Sequence, residues 1–314
     1  MNDQIYFTTI AVIYCILNMI TITFSLIIVL TIAFNWKMHF CSVSNLLILN
    51  SSFVFFLYAI SCFIQTPLMI SNNNNNNINL LFCQLCGFFG QYIAGTQIFT
   101  FLAQAIFRYF ATVLYRQKIL LTFRVNTIII ILGWIIPLII TASLLVLPLA
   151  YQYEPESRIC FTSTKYLLGA LIVSIFIFFM PLTIIIGLYG LILWNLTHFD
   201  RFQSDANNII RYKRNIKVFH NILLIVAILL VCGVPYLLCI IINIISETPW
   251  ILYSIKTLCI SLSIALETLV LFFTNGKIKK TLYEKIGFHQ TQVQAIQSRK
   301  TNHINRNQIL PVIS

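Results

Sequence analysis

Ionisable and metal-binding side chains are few in this sequence, and one of them lies in an unusual place. Glu267 falls inside an apolar run from Trp250 to Phe273. An ionisable group in hydrocarbon is costly and is by default a functional candidate. The five histidines show no metal-ligand spacing and do not cluster with acids or nucleophiles; they are His39, His198, His220, His289 and His303. We therefore expect a binding or signalling protein rather than an enzyme.

The apolar content exceeds what one soluble core could bury, with 59% hydrophobic and 9% charged residues among 314. A helix needs about 20 apolar residues to cross roughly 30 Å of hydrocarbon. Seven stretches reach that length, so we predict seven membrane spans. They are Phe7 to Phe34, Val43 to Ile70, Gln84 to Phe110, Val125 to Leu149, Tyr166 to Trp194, Val218 to Ile245 and Trp250 to Phe273.

Basic residues are concentrated in alternate connecting segments. If the N-terminus is outside, only Arg158, Lys165 and Lys256 of the 20 Lys and Arg fall in outer segments. The positive-inside rule therefore predicts a cytoplasmic C-terminus and a multi-pass protein of the plasma membrane. The net charge of +12 then indicates attraction to anionic membrane lipid rather than to nucleic acid.

The segments outside the spans are short or polar. We expect an extracellular N-terminus over residues 1–6, too short for a ligand-binding domain or a cleaved signal peptide, and a seven-span bundle over 7–274. The asparagine-rich run at 72–77 is typical of a flexible tether. Apolar residues at helical spacing predict an amphipathic juxtamembrane helix over 275–289, and the polar residues 290–314 predict a disordered cytoplasmic tail.

Several marker residues occur in order along the spans. The third span ends in Phe107-Arg108-Tyr109, and Cys83 lies 25 residues before that arginine. The later markers are Trp134 in the fourth span, Pro181 and Tyr189 in the fifth, and Cys232-Gly233-Val234-Pro235-Tyr236 in the sixth. This set resembles rhodopsin-like (class A) G-protein-coupled receptors, of which the chain looks like a divergent member. The resemblance implies an all-α membrane protein, a seven-transmembrane helix bundle with a short amphipathic cytoplasmic helix after the seventh span.

The resemblance also implies how the protein would signal. Arg108 is expected to meet a heterotrimeric G protein, and Tyr189 to swing inward beside it in the active receptor. Proline bends a helix, so the cytoplasmic half of the sixth span is expected to move about Pro235. Tyr109 and Lys217 complete the predicted coupling set.

A disulfide is implied between the third span and the second outer loop. Cys83 and Cys160 stand at the matching positions, and both would face the oxidising exterior, where disulfides persist. Cys86 lies one helical turn from Cys83 and is the alternative partner.

Three departures from the family pattern affect the activation machinery. Phe107 replaces the acid beside Arg108, and Asn215 stands where some relatives carry a second acid. We therefore predict elevated signalling without ligand. Gly233 replaces the family's tryptophan toggle, so another side chain, such as Tyr236, must act beneath the ligand pocket.

A fourth departure exchanges an acid and an amide. Asn50 stands at the family's membrane-buried aspartate, whereas Glu267 replaces the asparagine of the seventh-span Asn-Pro-x-x-Tyr motif. Because these positions face one another in the family, we expect Glu267, Asn50 and Gln97 to form a site that is sensitive to a sodium ion or a proton. The alternative is a protonated Glu267 that merely hydrogen-bonds Asn50.

The ligand is less well determined than the fold. Gly90 replaces the aspartate of amine receptors, and Ser261 replaces the lysine that holds retinal in opsins. The predicted pocket residues are Gln91, Tyr236, Asn243 and Lys256. They favour an extracellular ligand that is peptide-like or a small polar molecule. An environmental chemoreceptor of the same fold is the alternative, and a membrane transporter or channel is a further one, although no internal repeat supports transport.

Overall fold

The computed structural model describes residues 2–36, 41–70, 80–147, 150–163, 166–199, 206–246 and 248–286. The predicted tether at 72–77 and the tail at 290–314 lie outside these residues. The side chains of Asn215 and Lys217 also lie outside the described part of the chain, although the helix backbone there is described.

The described residues form a mostly helical bundle, with long helices at the seven predicted positions. The fifth span combines helix Leu167–Ile172, a π-helical segment Val173–Phe179 and helix Met180–Phe199. The other spans, in order, are Asn2–Phe34, Val43–Ile70, Leu80–Thr112, Phe123–Leu144, Ala206–Ile245 and Trp250–Thr274. The first helix begins at Asn2 rather than Phe7. The fourth ends at Leu144 rather than Leu149.

The third span differs from the others in composition. Six of the described helices are long and apolar enough to cross a membrane, and Leu80–Thr112 is not among them. Four glutamines lower its hydropathy, and three of them, Gln91, Gln97 and Gln104, are buried. This helix packs against the second, fourth and fifth spans and the hairpin described below, so its polar side chains face protein. Large apolar side chains on the neighbouring spans, such as Ile139, are exposed toward the surrounding lipid.

A β-hairpin lies across one end of the bundle. Strands β1 (Tyr151–Glu154) and β2 (Ile159–Thr162) pair antiparallel, with Tyr151 opposite Thr162. The disulfide Cys83–Cys160 joins β2 to the third span, with 5.2 Å between the Cα atoms, and Cys86 is a free thiol. The predicted pairing is therefore confirmed, and its alternative is wrong. We call this the hairpin end, and the opposite end, which carries Arg108, the arginine end.

The hairpin approaches the third span closely at Gly87. A Cβ atom at that position would lie 3.1 Å from Cδ1 of Tyr151. The Tyr151 hydroxyl also donates to the Thr141 carbonyl of the fourth span, at 2.9 Å. A larger residue at position 87 would therefore press against the Tyr151 ring where the strand lies against the helix.

The residues from Phe272 onward form a separate compact unit. It contains the short helix Gly276–Ile286, which confirms a helix after the seventh span. Asn275 begins it, since its side-chain oxygen accepts a hydrogen bond from the Ile278 amide at 3.4 Å.

Candidate functional site

A cavity of about 110 Å³ lies among the third, fifth, sixth and seventh spans. Phe161 of β2 borders it from the hairpin, while Gln97 and Ser263 border it from the third and seventh spans. Two predicted pocket residues, Gln91 and Tyr236, are on its wall. Gln91 also accepts a hydrogen bond from Thr162 at 3.2 Å, which links the hairpin to the cavity.

The other two predicted pocket residues have partners within the protein. Asn243 accepts hydrogen bonds from Thr248 at 2.6 Å and from the Tyr253 hydroxyl at 3.2 Å, at the hairpin end of the sixth span. Lys256 donates to Glu154 at 2.9 Å and borders a smaller cavity of about 20 Å³. The structure therefore does not bring Asn243 or Lys256 to the main cavity.

The Lys256–Glu154 ion pair is deeply buried, with 1% and 2% of the two side chains exposed. The Lys256 ammonium also lies 4.9 Å from the Tyr253 ring centroid and 5.9 Å from that of Tyr236, within cation–π range. Ser157 donates to Glu154 at 3.0 Å. This pair fastens the hairpin to the seventh span. Sequence reasoning missed Glu154, because the hairpin that carries it inward has no local signature.

A second buried carboxylate lies beneath the main cavity. Gln97 donates to Glu267 through Nε2 at 2.6 Å, and Ser263 donates at 3.0 Å. Asn50, predicted to join them, instead hydrogen-bonds to Thr100 at 3.4 Å and accepts from the Trp134 indole at 2.9 Å. The structure thus unites Gln97 with Glu267, and directs Asn50 toward the fourth span. Ser263 was missed, although its position one turn before Glu267 could have indicated it.

A phenylalanine of the fifth span fills the space beside Gly233. A Cβ atom at Gly233 would lie 2.9 Å from Cζ of Phe178, and both residues border the main cavity. Phe178 belongs to the π-helical segment, and such segments occur frequently at functional sites. The side chain that compensates for the missing sixth-span tryptophan is therefore a neighbouring aromatic residue. In the sequence, the glycine at position 233 was the indication that a neighbouring side chain fills this space.

The arginine end brings Arg108 and Tyr189 together. Arg108 of the third span is half-buried and lies near the buried Tyr189 of the fifth span. Phe107 instead packs against Val43, Leu47 and Ala103, so the residue that replaces the family's acid serves an apolar contact with the second span. Tyr109 packs against the main core, and Pro235 lies within the continuous helix Ala206–Ile245.

Within the described residues, no group of three or more His, Cys, Asp or Glu side chains is placed to hold a metal ion.

Comparisons with known proteins agree on one architecture. The family model described as 7 transmembrane receptor (rhodopsin family) matches residues 24–270. The crystal structure of squid rhodopsin superposes with a TM-score of 0.72 at 16% sequence identity, covering 92% of this chain and 87% of that chain. No curated protein sequence matches the chain.

Proposed function

Because the chain belongs to the rhodopsin family of seven-transmembrane receptors, we propose that it binds an extracellular ligand and promotes nucleotide exchange on a heterotrimeric G protein. The family match spans most of the bundle, and the fold matches that of squid rhodopsin. The protein is therefore a multi-pass membrane receptor, and its ligand and coupling are the parts proposed here.

The observation that carries the coupling proposal is the arrangement at the arginine end. Arg108 lies one turn before the end of the third span, half-buried and near Tyr189 of the fifth span. Such a cation is positioned to donate hydrogen bonds to the carbonyls at the C-terminus of an inserted helix, which carries partial negative charge. Tyr109 and Lys217 complete the proposed contact surface.

Two independent features support the proposed orientation. The hairpin end carries the Cys83–Cys160 disulfide, which suits an oxidising exterior. The basic residues concentrate in segments at the other end. We propose that the hairpin end is extracellular and that the C-terminus faces the cytoplasm at the plasma membrane.

The main cavity is the proposed ligand site. Its volume of about 110 Å³ is below the roughly 300–1,000 Å³ of sites for drug-sized ligands. This size supports a small molecule over a peptide chain, and it is compatible with detection of an environmental chemical.

The Glu267 cluster is proposed to take up a sodium ion or a proton. Carboxylate and hydroxyl oxygens, here from Glu267 and Ser263, are the ligand types that hard cations prefer. Among the described residues the hydrogen-bond partners of Glu267 are the neutral side chains of Gln97 and Ser263. Since both also border the main cavity, the occupancy of this cluster would couple to ligand binding.

The test is guanine-nucleotide exchange without ligand, measured with a panel of purified G proteins and the receptor in membranes. We expect exchange above background, because position 107 provides no acid beside Arg108. Arg108→Ala should abolish it. Arg116→Ala removes an exposed basic residue a short distance further along the chain and is the matched control, which should retain most of the exchange.

Two outcomes contradict parts of this proposal. Background-level exchange by the wild-type receptor on every G protein would overturn the prediction of elevated basal activity. Equal losses in Arg108→Ala and Arg116→Ala would overturn the specific role of Arg108. Ion flux without any exchange would favour a channel or transporter.

A further inference from the structure

The wall of the main cavity is mostly apolar. Ile177 and Phe178 of the fifth span, Leu229 of the sixth and Ile260 and Ile264 of the seventh form much of this wall. Among the described residues that line the cavity, none is Asp, Glu, Lys, Arg or His. A charged ligand would therefore lose its hydration without gaining a counter-ion, which is strongly unfavourable.

Four polar side chains on the wall hydrogen-bond within the protein. Gln91 accepts from Thr162, while Gln97 donates to Glu267. Ser174 donates to the Ala170 carbonyl at 2.8 Å, and Ser263 donates to Glu267. A ligand that used these same atoms would compete with existing hydrogen bonds, which lowers the gain from a polar contact.

Tyr236 borders the cavity, and its hydroxyl oxygen is buried without a hydrogen-bond partner in the described part of the chain. The ring of the same residue lies 5.9 Å from the Lys256 ammonium. The hydroxyl can pair with one polar atom of a ligand that is otherwise apolar.

We infer that the ligand is a small, uncharged and largely hydrocarbon molecule. This inference rests on the proposed ligand-binding function of the cavity and narrows it, replacing the peptide-like or small polar ligand favoured by the sequence. The cavity volume of about 110 Å³ is close to the roughly 150 Å³ of an engineered apolar cavity that binds benzene.

The test uses three probes of similar shape, namely fluorobenzene, 4-fluorobenzylamine and 4-fluorobenzoate. Fluorine NMR of the full-length receptor in lipid nanodiscs should show a saturable bound signal for fluorobenzene. The protonated amine and the carboxylate should bind at least about tenfold more weakly, because the cavity provides no counter-ion.

Two variants that fill the cavity separate binding from partition into lipid. Ala94→Phe and Leu237→Trp, made singly, add bulk to residues on the cavity wall and should each abolish the signal. Val12→Phe adds similar bulk to an exposed position of the first span and should leave it intact. Thermal unfolding of each variant confirms that it is folded.

The inference is overturned if a charged probe binds as well as fluorobenzene or if fluorobenzene gives no saturable signal. It is also overturned if both cavity-filling variants still show the bound fluorobenzene signal. Because this readout needs no G protein, it is independent of nucleotide exchange. Arg108-dependent exchange without fluorobenzene binding would overturn the ligand class and leave the receptor function standing.

Discussion

Glu154 and Glu267 are both almost fully buried, but their surroundings differ. Glu154 on the hairpin meets the Lys256 ammonium at 2.9 Å, so its charge is compensated in place. Glu267 in the seventh span meets the amide of Gln97 and the hydroxyl of Ser263, which are neutral donors. The first acid is paired with a basic side chain. The second has only neutral donors as hydrogen-bond partners among the described residues, which is the basis for proposing that it takes up a proton or a cation.

Glu154 therefore belongs to a structural ion pair, whereas Glu267 is the candidate for a regulatory site. Removing one member of a buried ion pair leaves an uncompensated charge and is strongly destabilising. Replacing a carboxylate that is held by neutral donors with its amide keeps the shape and most hydrogen bonds. We therefore expect the Glu154 region to control stability and the Glu267 region to control signalling.

The largest effect is expected for Lys256→Met. It leaves the Glu154 carboxylate buried without its cation, which should lower stability by about 3–5 kcal/mol. Thermal unfolding of the purified receptor measures the loss. The double variant Glu154→Gln with Lys256→Met should recover much of it, and a double variant as unstable as the single would show that the ion pair is not the cause.

The Cys83–Cys160 disulfide is the second link between the hairpin and the helices. Replacing Cys83 and Cys160 with serine opens a link across 77 residues and should cost about 2–4 kcal/mol. The same unfolding assay applies. The matched control is Cys86→Ser, which changes a free thiol one turn away and should have a much smaller effect.

A smaller effect is expected for Gly233→Ala. The added methyl group would lie 2.9 Å from the Phe178 ring, so the ring must shift and stability should fall by about 1 kcal/mol. Gly190→Ala, where a Cβ meets no atom within 4 Å, is the control and should not destabilise. Equal stability of the two variants would show that the ring moves away freely.

The smallest change in stability is expected for Glu267→Gln, within about 1 kcal/mol. The amide oxygen can still accept from Gln97, and the amide nitrogen can donate to the Ser263 hydroxyl, but the side chain cannot take up a proton or attract a cation. Nucleotide exchange by the wild type should respond to sodium or to pH, and exchange by this variant should respond to neither. The double variant Glu154→Gln with Lys256→Met, which removes the ion pair without leaving a buried charge, should keep the response. A response that survives in Glu267→Gln would exclude the switch.

The seven spans, the hairpin disulfide and the Gln97–Glu267 pairing could be predicted from the sequence. The spans depend on apolar length, a local property, and the third span was recognised despite the glutamines that lower its hydropathy. Cys83, Cys160 and Arg108 were identified by their spacing, which the family resemblance interprets.

The partners of individual polar side chains were decided by tertiary structure. Asn50 turns toward Trp134, 84 residues away, and Lys256 meets Glu154 across 102 residues. Such contacts depend on the rotation of each helix about its axis, and neighbouring residues point about 100° apart. Hydropathy sets which segments enter the membrane, whereas the packing of one helix against another sets which side chains meet inside it.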